Sequence, residues 1–325
     1  MSRLRRVGGG LLAGLLSAGV LLVLLYHQQL LDQWRVWRYQ PSSDIQALAQ
    51  RAALSDSGRF YFYLAHPQLE TAEQFNQDCR RVEQASPILG CYDGASERIH
   101  IYRVMHPELD GIKEVTAAHE MLHVAWSRFS QAQRQRLSDL LEAAYQRVKT
   151  EQLAERMAYY ERAQPGSRAN ELHSILGTEA AELGEELEQH YRQFFTDRQA
   201  VVALHAGYTK RFTALAEEAD RTASQLETRR RSIEQRMTDY RQAVAGFNRE
   251  VAVFNQRAER GDFVSQEAFL AVRSQLAARS QALVQQRQEI EAAIAEYNRQ
   301  VDTLTALGRR LQSLQQGLDS QQEVR

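Results

Sequence analysis

The sequence predicts a mostly helical α+β protein with three zones: an apolar N-terminal segment, a domain carrying a few strands, and a long antiparallel helical hairpin. Three observations predict this. Residues Leu11 to Tyr26 carry no charge, the stretch between Arg59 and Val104 mixes β-type alternation with turn signals, and from Phe212 onward large apolar residues recur every seven positions without a proline. The zones are 1–30, 31–200 and 201–325.

Three arginines (Arg3, Arg5, Arg6) and a glycine spacer precede the apolar run. Counted from Val7, the uncharged stretch is about twenty residues, enough to cross a ~30 Å hydrocarbon layer as a helix. Leu11 to Tyr26 therefore reads as a transmembrane signal anchor. The basic flank keeps the N-terminus cytoplasmic and sends the rest of the chain to the periplasmic or extracellular side. A cleaved signal peptide shares the charged start and apolar middle, although residues 27–32 offer no small-x-small cleavage site. Along the chain, 40 Lys and Arg are interspersed with 41 Asp and Glu for a net charge of -1, so the phosphate attraction on which nucleic-acid binders rely has no source. The two cysteines, Cys79 and Cys91, lie twelve residues apart around Pro87 and Gly90. In an oxidising compartment they would close a disulfide, and otherwise they would stay as small buried thiols.

Within the middle zone, Trp34 to about Leu54 has helical spacing, and the aromatic run Arg59 to Ala65 reads as a buried strand. Thr71 to Glu83 is helix-like again. After the Asp93-Gly94 turn, polar residues alternate with Ile99, Ile101 and Val104, the pattern of a half-buried strand. Lys113 to Phe129 is helical, with Val115, Ala118, Met121, Leu122 and Ala125 on one side. A long charged helix then runs to about Ala163, Gln164-Pro165-Gly166 breaks it, and Ser167 is placed to cap a further helix through Asn170, Glu171 and His173.

In the last zone two heptad series face each other across Gly261-Asp262. Phe212, Ala219, Leu226, Ile233, Tyr240, Phe247 and Phe254 form the first, and Phe269, Leu276, Leu283, Ile290, Tyr297, Leu304, Leu311 and Leu318 the second. Numbered inward from the turn they pair as mirror images, beginning with Phe254 and Phe269, which predicts an antiparallel coiled-coil hairpin. Such a seam is mechanical, or offers a surface to a protein partner.

Chemistry concentrates in His119-Glu120-Met121-Leu122-His123, an HExxH motif inside a helical segment. Four-residue spacing puts both imidazoles on one helix face, one turn apart, where they can bind a single zinc ion, Zn2+. Glu120 lies beside them, placed to take a proton from an attacking water. No serine or cysteine nucleophile has a comparable setting, and no glycine-rich phosphate loop is present.

These residues resemble the zincin metallopeptidases, in which the HExxH helix packs beneath a sheet whose edge strand aligns an extended substrate. The resemblance covers about residues 90 to 195, and it implies that Ile99 to Val104 is that edge strand. Trp126 and Phe129 occupy the glycine and third-histidine positions of the extended metzincin pattern, which points to the gluzincin arrangement, with a glutamate on a later helix as third ligand. Asn170-Glu171 is similar to the Asn-Glu pair found there, although Ile175 stands where an acidic partner is common, and Glu179 and His173 remain competitors. Glu171 is preferred to Glu179 because it has a defined direction one turn into its helix, whereas Gly177 loosens the helix before Glu179. His173 points about 200° away from Glu171. His190 and Tyr191, with Arg192 and Arg198 close by, are the candidate oxyanion donors. The resemblance thus implies a zinc-dependent, membrane-anchored peptidase acting on exported protein or peptide substrates. The rival expectation is a non-catalytic envelope adaptor that works through the hairpin and whose metal, if any, is structural.

Overall fold

The computed structural model describes residues 27–79 and 88–323. The segment Leu11 to Tyr26 lies outside these residues, and among those described no helix is long and apolar enough to cross a membrane. The chain divides into one unit made of residues 1–211 and 314–325 and a second made of residues 212–313.

The first unit is helical around a small sheet. A helix over 27–38, α1, ends before Pro41, and Ser42 caps α2 (Ser43–Arg51) by accepting from the Ile45 amide. One helix was expected from Trp34 to Leu54. The proline and the serine cap divide it. Arg59 to Ala65 is not a strand but most of α3 (Asp56–Leu64). Ser55 caps its first turn, accepting from the Gly58 amide, and a Cβ on Gly58 would stand 2.1 Å from the Phe194 carbonyl oxygen. Burial around this helix supersedes the β-preference of its aromatics, because Phe62 and Leu64 enter the core while Phe60, Tyr61 and Tyr63 pack at its margin.

Strands β1 (Gln68–Glu70), β2 (Gly90–Asp93) and β3 (Arg98–Tyr102) form a sheet in the order β1-β3-β2, with β1 parallel and β2 antiparallel to β3. The strand expected at the edge, Ile99 to Val104, is therefore the middle one. Its near-complete burial follows, since Ile99 and Ile101 join the core while Tyr102 turns to Phe75 of α4 (Ala72–Asp78). The edge strands are β1 and, packed against α5, β2. A disulfide between Cys79 and Cys91 ties the end of α4 to β2.

Helix α5 (Ile112–Arg128) is the core's axis, with Ala117, Ala118, Met121, Leu122 and Ala125 fully buried. Its start is held by Arg51, which bonds Glu114 at 2.7 Å and Asp110 at 2.8 Å, and its end by Arg128, which reaches Asp32 and Glu97 at 2.8 Å each. The expected long helix after it is two: α6 (Gln131–Val148), opened by a Ser130/Gln133 capping box, and α7 (Glu151–Ala163), capped by Thr150. Then follow α8 (Arg168–Glu179) and α9 (Glu185–Tyr191). Ser167 precedes α8 but makes no cap bond, and its buried hydroxyl has no partner. The C-terminal α12 (Ser320–Glu323) returns to α4, where Ser320 and Asn76 exchange hydrogen bonds of 2.6 and 3.0 Å.

The second unit is built from the parts of α10 (Arg198–Arg260) and α11 (Gln266–Leu318) that lie within residues 212–313. They run antiparallel, since Phe254 meets Phe269 at 5.2 Å between ring centroids while Glu250 pairs with Arg279 and Glu289 with Arg236. Gly261 turns the chain at φ 70°, a left-handed value that favours glycine. Leu226, Leu283 and Ile290 of the expected seam are buried. So are Leu215 and Leu307, each three residues after a member of the series, the second apolar position of its heptad.

Candidate metal centre

Two elements build the centre. On α5 the four-residue step brings His119 and His123 together with their Nε2 atoms 3.1 Å apart. From α8, which packs along α5, Glu171 adds its carboxylate, Oε2 lying 3.8 Å from each Nε2. His123 Nδ1 is 2.9 Å from the Asn170 side-chain oxygen, which can only accept, so the proton sits on Nδ1 and Nε2 presents a lone pair to the centre. Ser174 Oγ lies 3.2 Å from the same nitrogen. Glu171 Oε2 is buried and has no hydrogen-bond partner.

These donors fit a divalent ion. Tetrahedral zinc with bonds of ~2.0–2.1 Å keeps its ligand atoms about 3.3 Å apart, and the separations of 3.1 to 3.8 Å bracket that value. An unpartnered buried carboxylate oxygen beside imidazole nitrogens is a costly arrangement unless a cation satisfies it. Burial, with His123 beside it, holds His119 well below its ordinary value, so the ring is neutral and free to ligate.

Glu120 points to the sheet side of α5. It accepts from the Tyr92 amide of β2, and burial pushes its carboxyl up to about 7, with His123 opposing the rise and Glu171 adding to it. The approach of α5 to β2 depends on Gly90, where a Cβ would lie 2.5 Å from Thr116 Cγ2 and 2.8 Å from Glu120 Oε1. A cavity of 160 Å³ opens on His119, Glu120, His123 and Glu171, walled by Tyr92 on β2 and by Tyr159 and Tyr160 on α7. Burial raises the Tyr160 hydroxyl, and Glu171 adds to this, so it stays protonated.

The other sequence candidates lie elsewhere. Glu179 pairs with Arg156 at 2.6 Å and with His205 at 3.3 Å and does not join the trio. His190 and Tyr191 do not line the cavity. They form an aromatic cluster around His173, about 200° round α8 from Glu171: His173 Nε2 is 2.9 Å from His190 Nε2, and the Tyr191 hydroxyl donates to the His173 carbonyl at 2.7 Å. Tyr191 is fully buried there, so its hydroxyl has no route to a reacting group. Arg198 has a structural task, donating to the Ala180 and Ala181 carbonyls at the end of α8 and pairing with Glu188. Tyr92, Tyr159 and Tyr160 carry no site signal in the sequence, and Gly90 reads there only as part of the segment between the cysteines. Their proximity comes from α7 and β2 folding over α5, which no local spacing encodes.

No family model, no curated protein and no solved structure matches the chain.

Proposed function

We propose that the protein is a zinc-dependent peptidase of gluzincin type, anchored by its N-terminal apolar segment and acting on exported protein or peptide chains. The observation that carries this reading is the convergence of three donors, His119, His123 and Glu171, with the buried carboxylate of Glu120 lining the same cavity. A zinc ion held by such a trio would acidify a water and polarise a substrate carbonyl.

The remaining steps belong to the chain. Glu120 accepts the proton of the attacking water and passes it to the departing amine. Asn170 and Ser174 fix the His123 ring. Tyr160, rather than His190 or Tyr191, donates to the developing oxyanion. The edge strand β2, which lines the cavity, takes the role expected of Ile99 to Val104 and aligns an extended substrate through its backbone. Export agrees with the Cys79–Cys91 disulfide, a bond that persists in oxidising compartments.

The test uses the full chain in detergent with a quenched-fluorescence peptide mixture. Wild type should hydrolyse it and lose activity to a chelator, whereas Glu120→Gln should keep the metal and be inactive. Hydrolysis by Glu120→Gln at the wild-type rate would remove the base and with it the mechanism.

A further inference from the structure

A second group of donors lies on the other side of the sheet from α5. Glu70 ends β1, His100 lies at the centre of β3 and Asp78 ends α4, with one donor atom of each within 4.8 Å of the others. Strand alternation produces the placement. Ile99 and Ile101 face the core with α5, so His100 between them faces α4, and the parallel register sets Gln68 of β1 opposite it with Glu70 two residues on.

His100 Nδ1 is 2.6 Å from Glu70 Oε1 and 3.7 Å from Asp78 Oδ2. Glu70 is 4% exposed and His100 6%, whereas the Asp78 side chain is 48% exposed. A buried ion pair alone would account for the first contact. It does not account for Glu70 Oε2, which is buried without any hydrogen-bond partner. A cavity of 410 Å³ lined by Gln68, Glu70, Gln74 and Asp78 gives a hydrated ion a polar path to the cluster.

We propose that Glu70, Asp78 and His100 form a second site for a first-row divalent cation, one that clamps α4 to the sheet beside the Cys79–Cys91 disulfide. Two carboxylates and one imidazole suit zinc or manganese. With bonds of ~2.1 Å at about 90°, donors stand ~3.0 Å apart, so binding parts Glu70 and His100, 2.6 Å apart, by about 0.4 Å and draws Asp78, 3.7 Å from His100, in by about 0.7 Å. Asp78 completes the clamp from the solvent side and leaves room for water. The role is structural, and it stands whether or not the centre on α5 hydrolyses peptides.

The experiment separates the two centres in the full chain. His119→Ala/His123→Ala removes the first, and the metal alone (Zn2+ or Mn2+) is then added and the protein passed through a desalting column. This double variant should retain about one ion per chain, and adding either Glu70→Gln or Asp78→Asn should abolish that retention. Asp78→Asn changes an exposed side chain, so it leaves a folded protein to assay even if Glu70→Gln does not. Bound Co2+ gives a second readout, since its visible absorption should report oxygen and nitrogen ligands and vanish in Asp78→Asn. No retained ion in a folded double variant would overturn the proposal, as would an ion that both substitutions leave in place.

Discussion

Gly90 is where the fold bears most directly on the chemistry. Gly90→Ala places a Cβ 2.5 Å from Thr116 Cγ2, 2.8 Å from Glu120 Oε1 and 2.9 Å from Glu120 Cγ, against an ordinary contact of 3.4 Å or more. Thr116 cannot easily swing aside, because its hydroxyl donates to the Ile112 carbonyl at 2.8 Å. Either β2 and α5 separate or the Glu120 carboxyl moves, by about 0.5 to 0.9 Å in each case. Overpacking of this size costs about 1–3 kcal/mol, which lowers the melting temperature by roughly 3 to 10 °C in a domain of this size. If Glu120 is the base, its displacement should lower kcat about 100-fold, while zinc content should stay unchanged, because His119, His123 and Glu171 are not among the atoms nearest the added Cβ. Gly177→Ala is the comparison: its Cβ meets Tyr191 Cε1 at 2.6 Å and Leu122 Cδ1 at 2.7 Å, a conflict of similar size that lies between α8 and α5 away from Glu120, so any loss of activity there should follow zinc content. Thermal melts, zinc assay and peptide hydrolysis on both variants decide the matter. Wild-type kcat in Gly90→Ala, or equal losses of kcat in the two variants, would refute the link between this glycine and the base.

Two further outcomes follow from the same geometry. Tyr160→Phe should keep the metal and lose kcat by about 100- to 1000-fold with little change in KM, as loss of an oxyanion donor does; a change in KM alone would assign the hydroxyl to substrate binding. His190 is held down to about 4 by burial, so between pH 6.5 and 4 the unfolded chain binds the extra proton and stability falls as pH falls, by about 3 kcal/mol over that window. Urea melts of wild type and His190→Gln across it should converge as pH drops, and a constant gap would show that the ring does not titrate with folding.

What the sequence disclosed was whatever local spacing encodes. HExxH needs only a helix to bring His119 and His123 together, and Glu171 could be chosen over Glu179 because direction along a helix is set by the residue count. The mirror relation of the heptads likewise predicts the contact of Phe254 with Phe269. The errors fall where tertiary packing decides. Phe60 to Tyr63 have strand preferences, yet a close approach to Phe194 and a serine cap make them helical. The Ile99 to Tyr102 alternation identifies a strand but not its neighbours, β1 and β2, which place it in the middle. His190 and Tyr191 carry suitable chemistry on a helix that the fold turns toward His173 instead.

His119, His123 and Glu171 are proposed to hold one catalytic zinc with a position left open. Zinc-edge anomalous diffraction from crystals of the zinc-loaded chain tests it most directly. The expected result is a strong peak bonded to His119 Nε2, His123 Nε2 and the Glu171 carboxylate at about 2.0–2.2 Å, with a non-protein fourth ligand facing Glu120. A peak bonded to Glu179 in place of Glu171, or closed by a fourth protein side chain, would contradict it.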